Sequence, residues 1–263
     1  MTGEVSGRPV GAVIFDWGGT LTPWHTVDLQ EQWAVFAREY HLDDPHLALD
    51  LAARIHAAEE AGWSRGRHDD HASARIEEIL AEADVVADDP RVVAGLAAYR
   101  EFWEPHTFTD PHVKPLWEGL RDNGIRVGVL SNTIWSRDYH QELFSRDGVL
   151  HLIDAEVYSS ETPWVKPSPE IFRYAARQVG VEPAECVYVG DRAYEDVHGP
   201  QAVGMRAIWV PHSDIPLSQQ VAVDATPDAV AHELIDVLDI VTGWHSGWHA
   251  QGSAGAVATP GDP

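Results

Sequence analysis

The chain has 263 residues, 44% of them hydrophobic, which is enough to bury a sizeable core and more than one minimal domain needs. Acidic residues outnumber basic ones by 42 to 18, and the formal net charge of −24 argues against nucleic acid or an anionic membrane as a partner, because both attract basic surfaces. No apolar run approaches the roughly 20 residues of a membrane helix, and neither end resembles a signal segment. The single cysteine, Cys186, has no disulfide partner, which fits a reducing compartment. We therefore expect a cytoplasmic protein.

Five short apolar runs predict buried β-strands, at residues 10–15, 125–130, 155–159, 186–190 and 206–210. Amphipathic segments predict helices between them, near residues 113–123, 137–147, 168–179 and 194–203. This alternation of strand and helix is typical of a parallel sheet that is covered by helices on both faces.

Residues 24–110 interrupt the alternation. They contain four segments with apolar residues at three- and four-residue spacing and no convincing strand. We interpret them as an inserted helical domain, the cap, which leaves residues 10–23 and 111–240 as an α/β core domain. Residues 1–9 are expected to be a flexible leader. Residues 241–263, which are rich in Gly, Ser and Ala, are expected to be a disordered tail.

Polar side chains follow several of the apolar runs. The first run is followed by a carboxylate, a glycine and a hydroxyl, and the later runs and loops add further polar groups. Together they are Asp16, Gly19, Thr20, Ser131, Asn132, Lys166, Asp191 and Asp196. Ligands of parallel sheets bind beyond the carboxyl ends of the strands, so we expect these groups to converge on one site. Taken singly, each also fits a structural role, such as a carboxylate that caps a turn.

Four motifs in this order resemble those of the haloacid dehalogenase (HAD) superfamily, a group of mostly phosphate-handling hydrolases. They are FDWGGTLT at 15–22, VLSNT at 129–133, KPSPEIF at 166–172 and GDRAYED at 190–196. The resemblance covers residues 10–22 and about 113–210. It implies a doubly wound, Rossmann-like parallel sheet with a helical cap inserted after the first strand, and a hydrolase activity.

The resemblance also implies catalytic roles. Asp16 would attack phosphorus and carry an aspartyl-phosphate, which splits one difficult displacement into two easier ones. Ser131 would donate a hydrogen bond to a phosphoryl oxygen. Lys166, one of only two lysines in the chain, would neutralise charge on the phosphoryl group and on the nucleophile.

A magnesium ion and the substrate would share this site. The implied magnesium ligands are Asp16, the backbone carbonyl of Gly18, Asp191 and, further out, Asp196, and carboxylate oxygens suit that ion. Thr20, Gly19 and Asn132 are the substrate contacts expected from the core domain.

The first motif departs from the family pattern at Gly18. Family phosphatases usually carry a second aspartate at this position, which protonates the leaving group and then activates water. Such general acid–base catalysis contributes typically about 10²–10⁴-fold in rate. The cap offers substitutes, and a histidine is a natural proton shuttle. As candidate substrate contacts we consider His25, Arg65, Arg67 and His68, although the last three equally fit a polar loop between cap helices.

Two other branches of the superfamily fit less well. A dehalogenase branch also lacks the second aspartate but works without metal, and the retained Asp191 and Asp196 argue against it. The phosphonoacetaldehyde hydrolase branch needs a cap lysine, and residues 24–110 contain none. The sequence therefore predicts a magnesium-dependent hydrolase of a small phosphorylated metabolite. The alternative is a catalytically weak member that binds a phosphorylated ligand or a protein partner.

Overall fold

The computed structural model describes residues 9–23, 27–68, 73–211 and 220–254. Within them lie six parallel strands: β1 (Ala12–Phe15), β2 (Arg126–Ser131), β3 (Ala155–Tyr158), β4 (Cys186–Gly190), β5 (Arg206–Trp209) and β6 (Ala229–Val230). Their order across the sheet is β3-β2-β1-β4-β5-β6. The predicted doubly wound parallel sheet is confirmed, and five of the strands coincide with the five apolar runs. The two-residue strand β6 was not predicted.

Nine helices accompany the strands in the described part of the chain: α1 (Leu29–Tyr40), α2 (Pro45–His68), α3 (Ile76–Glu82), α4 (Pro90–Trp103), α5 (Val113–Asp122), α6 (Arg137–Arg146), α7 (Pro169–Val179), α8 (Gly199–Gln201) and α9 (Asp236–Ala254). Short 3₁₀ turns occur at Glu104–His106, Leu150–Leu152, Ser159–Glu161 and Pro183–Glu185. A π-helical segment, Ala193–His198, together with α8 takes the place of the single helix predicted at 194–203. None of the helices in these ranges is both long and apolar enough to cross a bilayer.

The central strand β1 is buried on both faces because helices cover both sides of the sheet. Val13 and Phe15 pack in one cluster with α5 and α9. Ala12 and Ile14 point to the opposite face and pack with α7. This two-sided burial explains why β1 is a continuous apolar run instead of an alternating one.

The helices α1 to α4 fall inside the predicted cap, and their apolar faces form a further hydrophobic cluster. Ile134, Trp135 and Tyr139, from the loop after β2 and from α6, belong to the same cluster. The backbone N–H of Ile76 in α3 also donates to the carbonyl oxygen of Ile134 over 3.1 Å. The cap is therefore packed against the sheet domain at the loop that follows β2.

The expectation of a disordered tail from residue 241 is wrong as far as Ala254, because α9 continues through this segment. Val241 is fully buried in the core, and the guanidinium of Arg206 lies 4.8 Å from the centre of the Trp244 ring. The Nδ1 atom of His245 lies 3.1 Å from the carbonyl oxygen of Val10. These contacts of residues 241–245 with the sheet domain stabilise this part of the helix in spite of Gly243. Residues 1–8 and 255–263, parts of the predicted leader and tail, lie outside the described residues.

Candidate active site

The two strands at the centre of the sheet deliver the first two carboxylates. Asp16 follows β1 and Asp191 follows β4, which lie next to each other in the sheet. The chain continues from β1 to β2 on one side and from β4 to β5 on the other side. The gap between β1 and β4 is therefore the switch point of the fold, where parallel sheets bind their ligands. One ligand oxygen each from Asp16, Asp191 and Asp196 lies within 4.8 Å of the others. All three residues are buried, with exposures of 5%, 5% and 0%. The predicted convergence of these carboxylates is therefore present in the structure.

The ammonium group of Lys166 lies inside this cluster. Its Nζ atom is 2.9 Å from Oδ1 of Asp16 and 2.7 Å from Oδ1 of Asp196. A third acceptor, the hydroxyl of Tyr188, is 3.0 Å away. The three N–H bonds of the ammonium thus match three acceptors, and the lysine directly neutralises the predicted nucleophile.

Asn132 holds the backbone of Lys166. Its Oδ1 accepts from the Lys166 N–H over 2.8 Å, and its Nδ2 donates to the Lys166 carbonyl over 3.1 Å. Both ends of the amide are therefore used within the protein. The structure assigns Asn132 to fixing the lysine segment, and its expected contact with substrate stays a prediction.

The glycine turn after Asp16 is folded tightly. The carbonyl oxygen of Trp17 accepts hydrogen bonds from three backbone N–H groups at 3.3, 2.9 and 3.0 Å, those of Thr20, Leu21 and Thr22. Gly19 has φ +82°, and a Cβ there would clash with the carboxylate of Asp191. Gly19 is required because the turn and the second aspartate approach each other so closely.

Two hydroxyl groups border the carboxylates in the chain. Ser131 is the last residue of β2 and is 2% exposed. Thr20 is fully buried, and its hydroxyl has no hydrogen-bond partner among the described residues. Their roles towards a phosphoryl group stay predictions.

The electrostatics of the cluster favour a cation. Burial is the largest cause that raises the pKa of Asp196 to about 8; the charge of Lys166 opposes the rise, and the charges of Asp16 and Asp191 add to it. Burial alone would lower the pKa of Lys166, but the charges of Asp16 and Asp196 raise it well above its ordinary value. One ammonium thus faces three buried carboxylates, and hard oxygen donors with excess negative charge fit Mg²⁺.

Of the four predicted cap contacts, the structure describes the side chain of Arg65. Arg65 forms a half-exposed ion pair with Glu82 of α3, 3.1 Å between Nη2 and Oε1, because α2 and α3 pack side by side. The expected contact of Arg65 with substrate stays a prediction. Arg67 and His68 lie in the last turn of α2, and their side chains, like the whole of His25, are outside the described residues.

Sequence reasoning missed two aromatic residues that hold the site. Tyr188 lies within β4 and contacts Lys166, whereas Trp209 at the end of β5 donates from Nε1 to the carbonyl of Asp191 over 2.9 Å. Both lie in buried strands, where an aromatic residue is expected to belong to the hydrophobic core. The available signal was a hydroxyl or indole N–H near the carboxyl end of an otherwise apolar run, since such groups need a partner when buried.

Residues 10–204 match the family model of the haloacid dehalogenase-like hydrolases. The chain belongs to this family, and the hydrolase class implied by the four motifs is confirmed. Over 239 residues it is 30% identical to a glyceraldehyde 3-phosphate phosphatase of Methanopyrus kandleri, covering 88% of this chain and 97% of the relative. A phosphoserine phosphatase of Thermus thermophilus is 30% identical over 128 residues, 49% of each chain.

Solved structures share the fold. The crystal structure of a HAD phosphatase from Thermococcus onnurineus matches with a TM-score of 0.60 and 23% identity, covering 89% of this chain and 99% of that one. A 2-haloacid dehalogenase from Pseudomonas syringae matches with a TM-score of 0.61 and 21% identity, again covering 89% and 99%. Phosphatases and dehalogenases thus share this architecture. The fold therefore does not distinguish the two activities, and the choice between them depends on the site residues.

Proposed function

We propose that this protein hydrolyses phosphoric monoesters of small metabolites with Mg²⁺, through an aspartyl-phosphate on Asp16. The observation that carries the proposal is the buried cluster, in which Lys166 lies 2.9 Å from Asp16 and three carboxylates offer oxygens within 4.8 Å of one another. A metal-free dehalogenase has no need for two further carboxylates beside its nucleophile. Relatives named as phosphatases support the same choice.

Asp16 starts the reaction. Attack of its carboxylate on phosphorus forms an acyl phosphate and breaks the ester P–O bond, whose electron pair leaves with the alcohol oxygen. Lys166 orients the carboxylate by holding Oδ1, and Ser131 donates to a phosphoryl oxygen. Water then cleaves the acyl phosphate, which restores the carboxylate and releases inorganic phosphate.

The metal would be held by Asp16 and Asp191, with Asp196 and the carbonyl of Gly18 as further ligands. Both oxygens of Asp196 already accept hydrogen bonds, from Lys166 and from the Arg192 N–H, but each carboxylate oxygen has a second lone pair. When bound, Mg²⁺ supplies the charge that lets an anionic phosphate approach a carboxylate, and it polarises the phosphoryl oxygens.

Gly18 limits the substrates. Without an aspartate there, the first motif offers the leaving oxygen no proton, so esters of acidic alcohols and acyl phosphates should react faster than alkyl phosphates. The same residue favours the second candidate function, a protein that binds a phosphorylated ligand with little turnover.

The test is phosphate release from p-nitrophenyl phosphate, glyceraldehyde 3-phosphate and phosphoserine with Mg²⁺ or with EDTA. We expect turnover with Mg²⁺ only, fastest for the aryl ester. Asp16→Asn should abolish turnover and keep the thermal transition, because it removes the nucleophilic charge and little volume. Binding of inorganic phosphate by calorimetry without turnover of any of these esters would favour the second candidate instead.

A further inference from the structure

We propose that Tyr188 is a positioning residue for the Lys166 ammonium, and that its buried hydroxyl connects this ammonium to the strand that carries Ser131. The inference rests on the proposed phosphatase function, because it concerns two groups expected to contact the phosphoryl group. It assigns a role to a β4 side chain that contacts neither metal nor substrate.

The hydroxyl of Tyr188 is used in both directions. It accepts from Nζ of Lys166 over 3.0 Å and donates to the carbonyl oxygen of Leu130 over 2.8 Å. Leu130 is the residue before Ser131 in β2. One hydroxyl thus sets the distance between the ammonium and the main chain that presents the Ser131 hydroxyl.

The tyrosine ring is itself fixed. Tyr188 is fully buried, and Phe172 of α7 packs edge-on against its ring, with 5.2 Å between the ring centres. Backbone pairing with Ile14 of β1 places Tyr188 beside the strand that leads to Asp16. The hydroxyl is therefore a rigid acceptor, unlike a water molecule or an exposed side chain.

The third acceptor matters because the other two are charged. With only Asp16 and Asp196, the ammonium could turn about its Cε–Nζ bond and move towards either carboxylate. Tyr188 fixes the direction of the third N–H and adds no charge, so the full positive charge of Lys166 stays available to Asp16. A hydrogen bond that involves a charged group is also about twice as strong as a neutral one.

The test is Tyr188→Phe, which keeps the ring and its contact with Phe172 and removes only the hydroxyl. We expect kcat with Mg²⁺ and p-nitrophenyl phosphate to fall about tenfold or more, with a smaller change in KM, because Lys166 acts mainly on charge that develops in the transition state. The matched control is Tyr158→Phe, which removes a tyrosine hydroxyl bonded to Glu156 on the other side of β2. The control should retain wild-type kcat.

A double-mutant cycle separates positioning from packing. Calorimetry with inorganic phosphate and Mg²⁺ measures the affinity of four proteins: wild type, Tyr188→Phe, Lys166→Met and the double variant. We expect Tyr188→Phe to weaken phosphate binding in the wild-type background and to have no further effect in the Lys166→Met background.

Three results would overturn the proposal. They are wild-type kcat and phosphate affinity in Tyr188→Phe, equal weakening in both backgrounds, and failure of the variant to fold, which would assign the hydroxyl to the stability of the core. A wild-type protein without turnover would contradict the proposed function alone, because the phosphate-binding cycle needs no catalysis.

Discussion

At the scale of single residues, the neighbouring glycines of the first motif are not equivalent. Gly19 cannot take a side chain, since it combines a positive φ with close contact to Asp191. Gly18 has no such φ, and apart from its chain neighbours no atom of the described residues lies within 4 Å of a Cβ built on it. The position of the missing acid can therefore accept a side chain without strain.

Gly18→Asp should restore general acid catalysis. We expect turnover of alkyl phosphates to rise, by up to about 10²-fold, and the dependence of rate on leaving-group acidity to become flatter. The measurement is kcat/KM for a series of aryl and alkyl phosphates. Gly19→Ala is the matched control and should lose activity by displacing Asp191. Similar wild-type rates for alkyl and aryl esters would show that another group already supplies the proton.

His140 makes stability depend on pH. Its ring is stacked on Tyr158 with 4.3 Å between ring centres, and burial lowers its pKa from 6.5 to about 3. Between these values the unfolded chain binds a proton that the native protein does not, so the free energy of unfolding falls as the pH falls below 6.5. The expected loss is about 1.4 kcal/mol per pH unit at most.

Urea unfolding of the wild type and His140→Gln between pH 7 and pH 5 checks this. Other groups also titrate there, but the variant lacks this one, so its stability should decline less steeply. Equal slopes for the two proteins would show that His140 is protonated in the native state.

At the scale of elements, the sequence predicted what depends on local pattern. β4 was predicted over its full length because a buried parallel strand is a continuous apolar run. β6 was missed because two residues, Ala229 and Val230, carry no pattern and are defined only by pairing with β5. The continuation of α9 was missed for a similar reason. Its few apolar side chains stabilise the helix by packing against the sheet domain, and the amino-acid composition of the segment does not reveal that packing.

The same distinction applies to the site. The sequence predicted four charged site residues because a charged group next to an apolar run is easily recognised. They are Asp16, Lys166, Asp191 and Asp196. The two hydrogen bonds between the Asn132 amide and the backbone of Lys166 depend on a contact across 34 positions of the chain. No local pattern reports such a contact.

The cap contacts the sheet domain through aromatic residues. The Tyr99 and Trp135 rings are 5.1 Å apart, and the Arg100 guanidinium lies 4.9 Å from the Tyr139 ring centre. Because Asp16 is only 5% exposed, we expect the cap to open for substrate entry and to close for reaction.

Arg100→Ala should loosen the closed form without disturbing the core. We expect KM for p-nitrophenyl phosphate to rise several-fold, because a smaller closed fraction lowers apparent affinity. Hydrogen exchange in α4 should become faster. Arg38→Ala, which removes an exposed ion pair within α1, is the control and should change neither quantity. Unchanged KM and exchange in Arg100→Ala would argue against gating at this contact.

At the scale of the whole molecule, the net charge of −24 and the carboxylate cluster respond to cations differently. General salt should stabilise the fold gradually by screening repulsion between surface charges. Mg²⁺ should act at millimolar concentration through specific binding, which adds about 2.7 kcal/mol at a hundredfold excess over Kd.

Differential scanning calorimetry in constant KCl, with and without Mg²⁺, separates the two effects. We expect Mg²⁺ to raise Tm of the wild type and to have little effect on Asp191→Asn, whereas KCl should act on both alike. An equal Mg²⁺ response of the two proteins would contradict a magnesium site at Asp191.

The helix α9 packs next to the segment that leads into β1. His245 lies beside Val10, and Val241 belongs to the cluster on one face of the sheet. During synthesis β1 emerges first, yet Val13 pairs with Val127 and Val187, and the covering helix follows later still. The helices α1 to α4, in contrast, contact one another within residues 29–103, which precede β2 in the chain, and can fold early. A ribosome-bound or truncated chain without α9 would expose an apolar sheet face, and such a face attracts chaperones and proteases. The face of the sheet that carries Val13 and Phe15 therefore stays partly uncovered until α9 has been synthesised and packed.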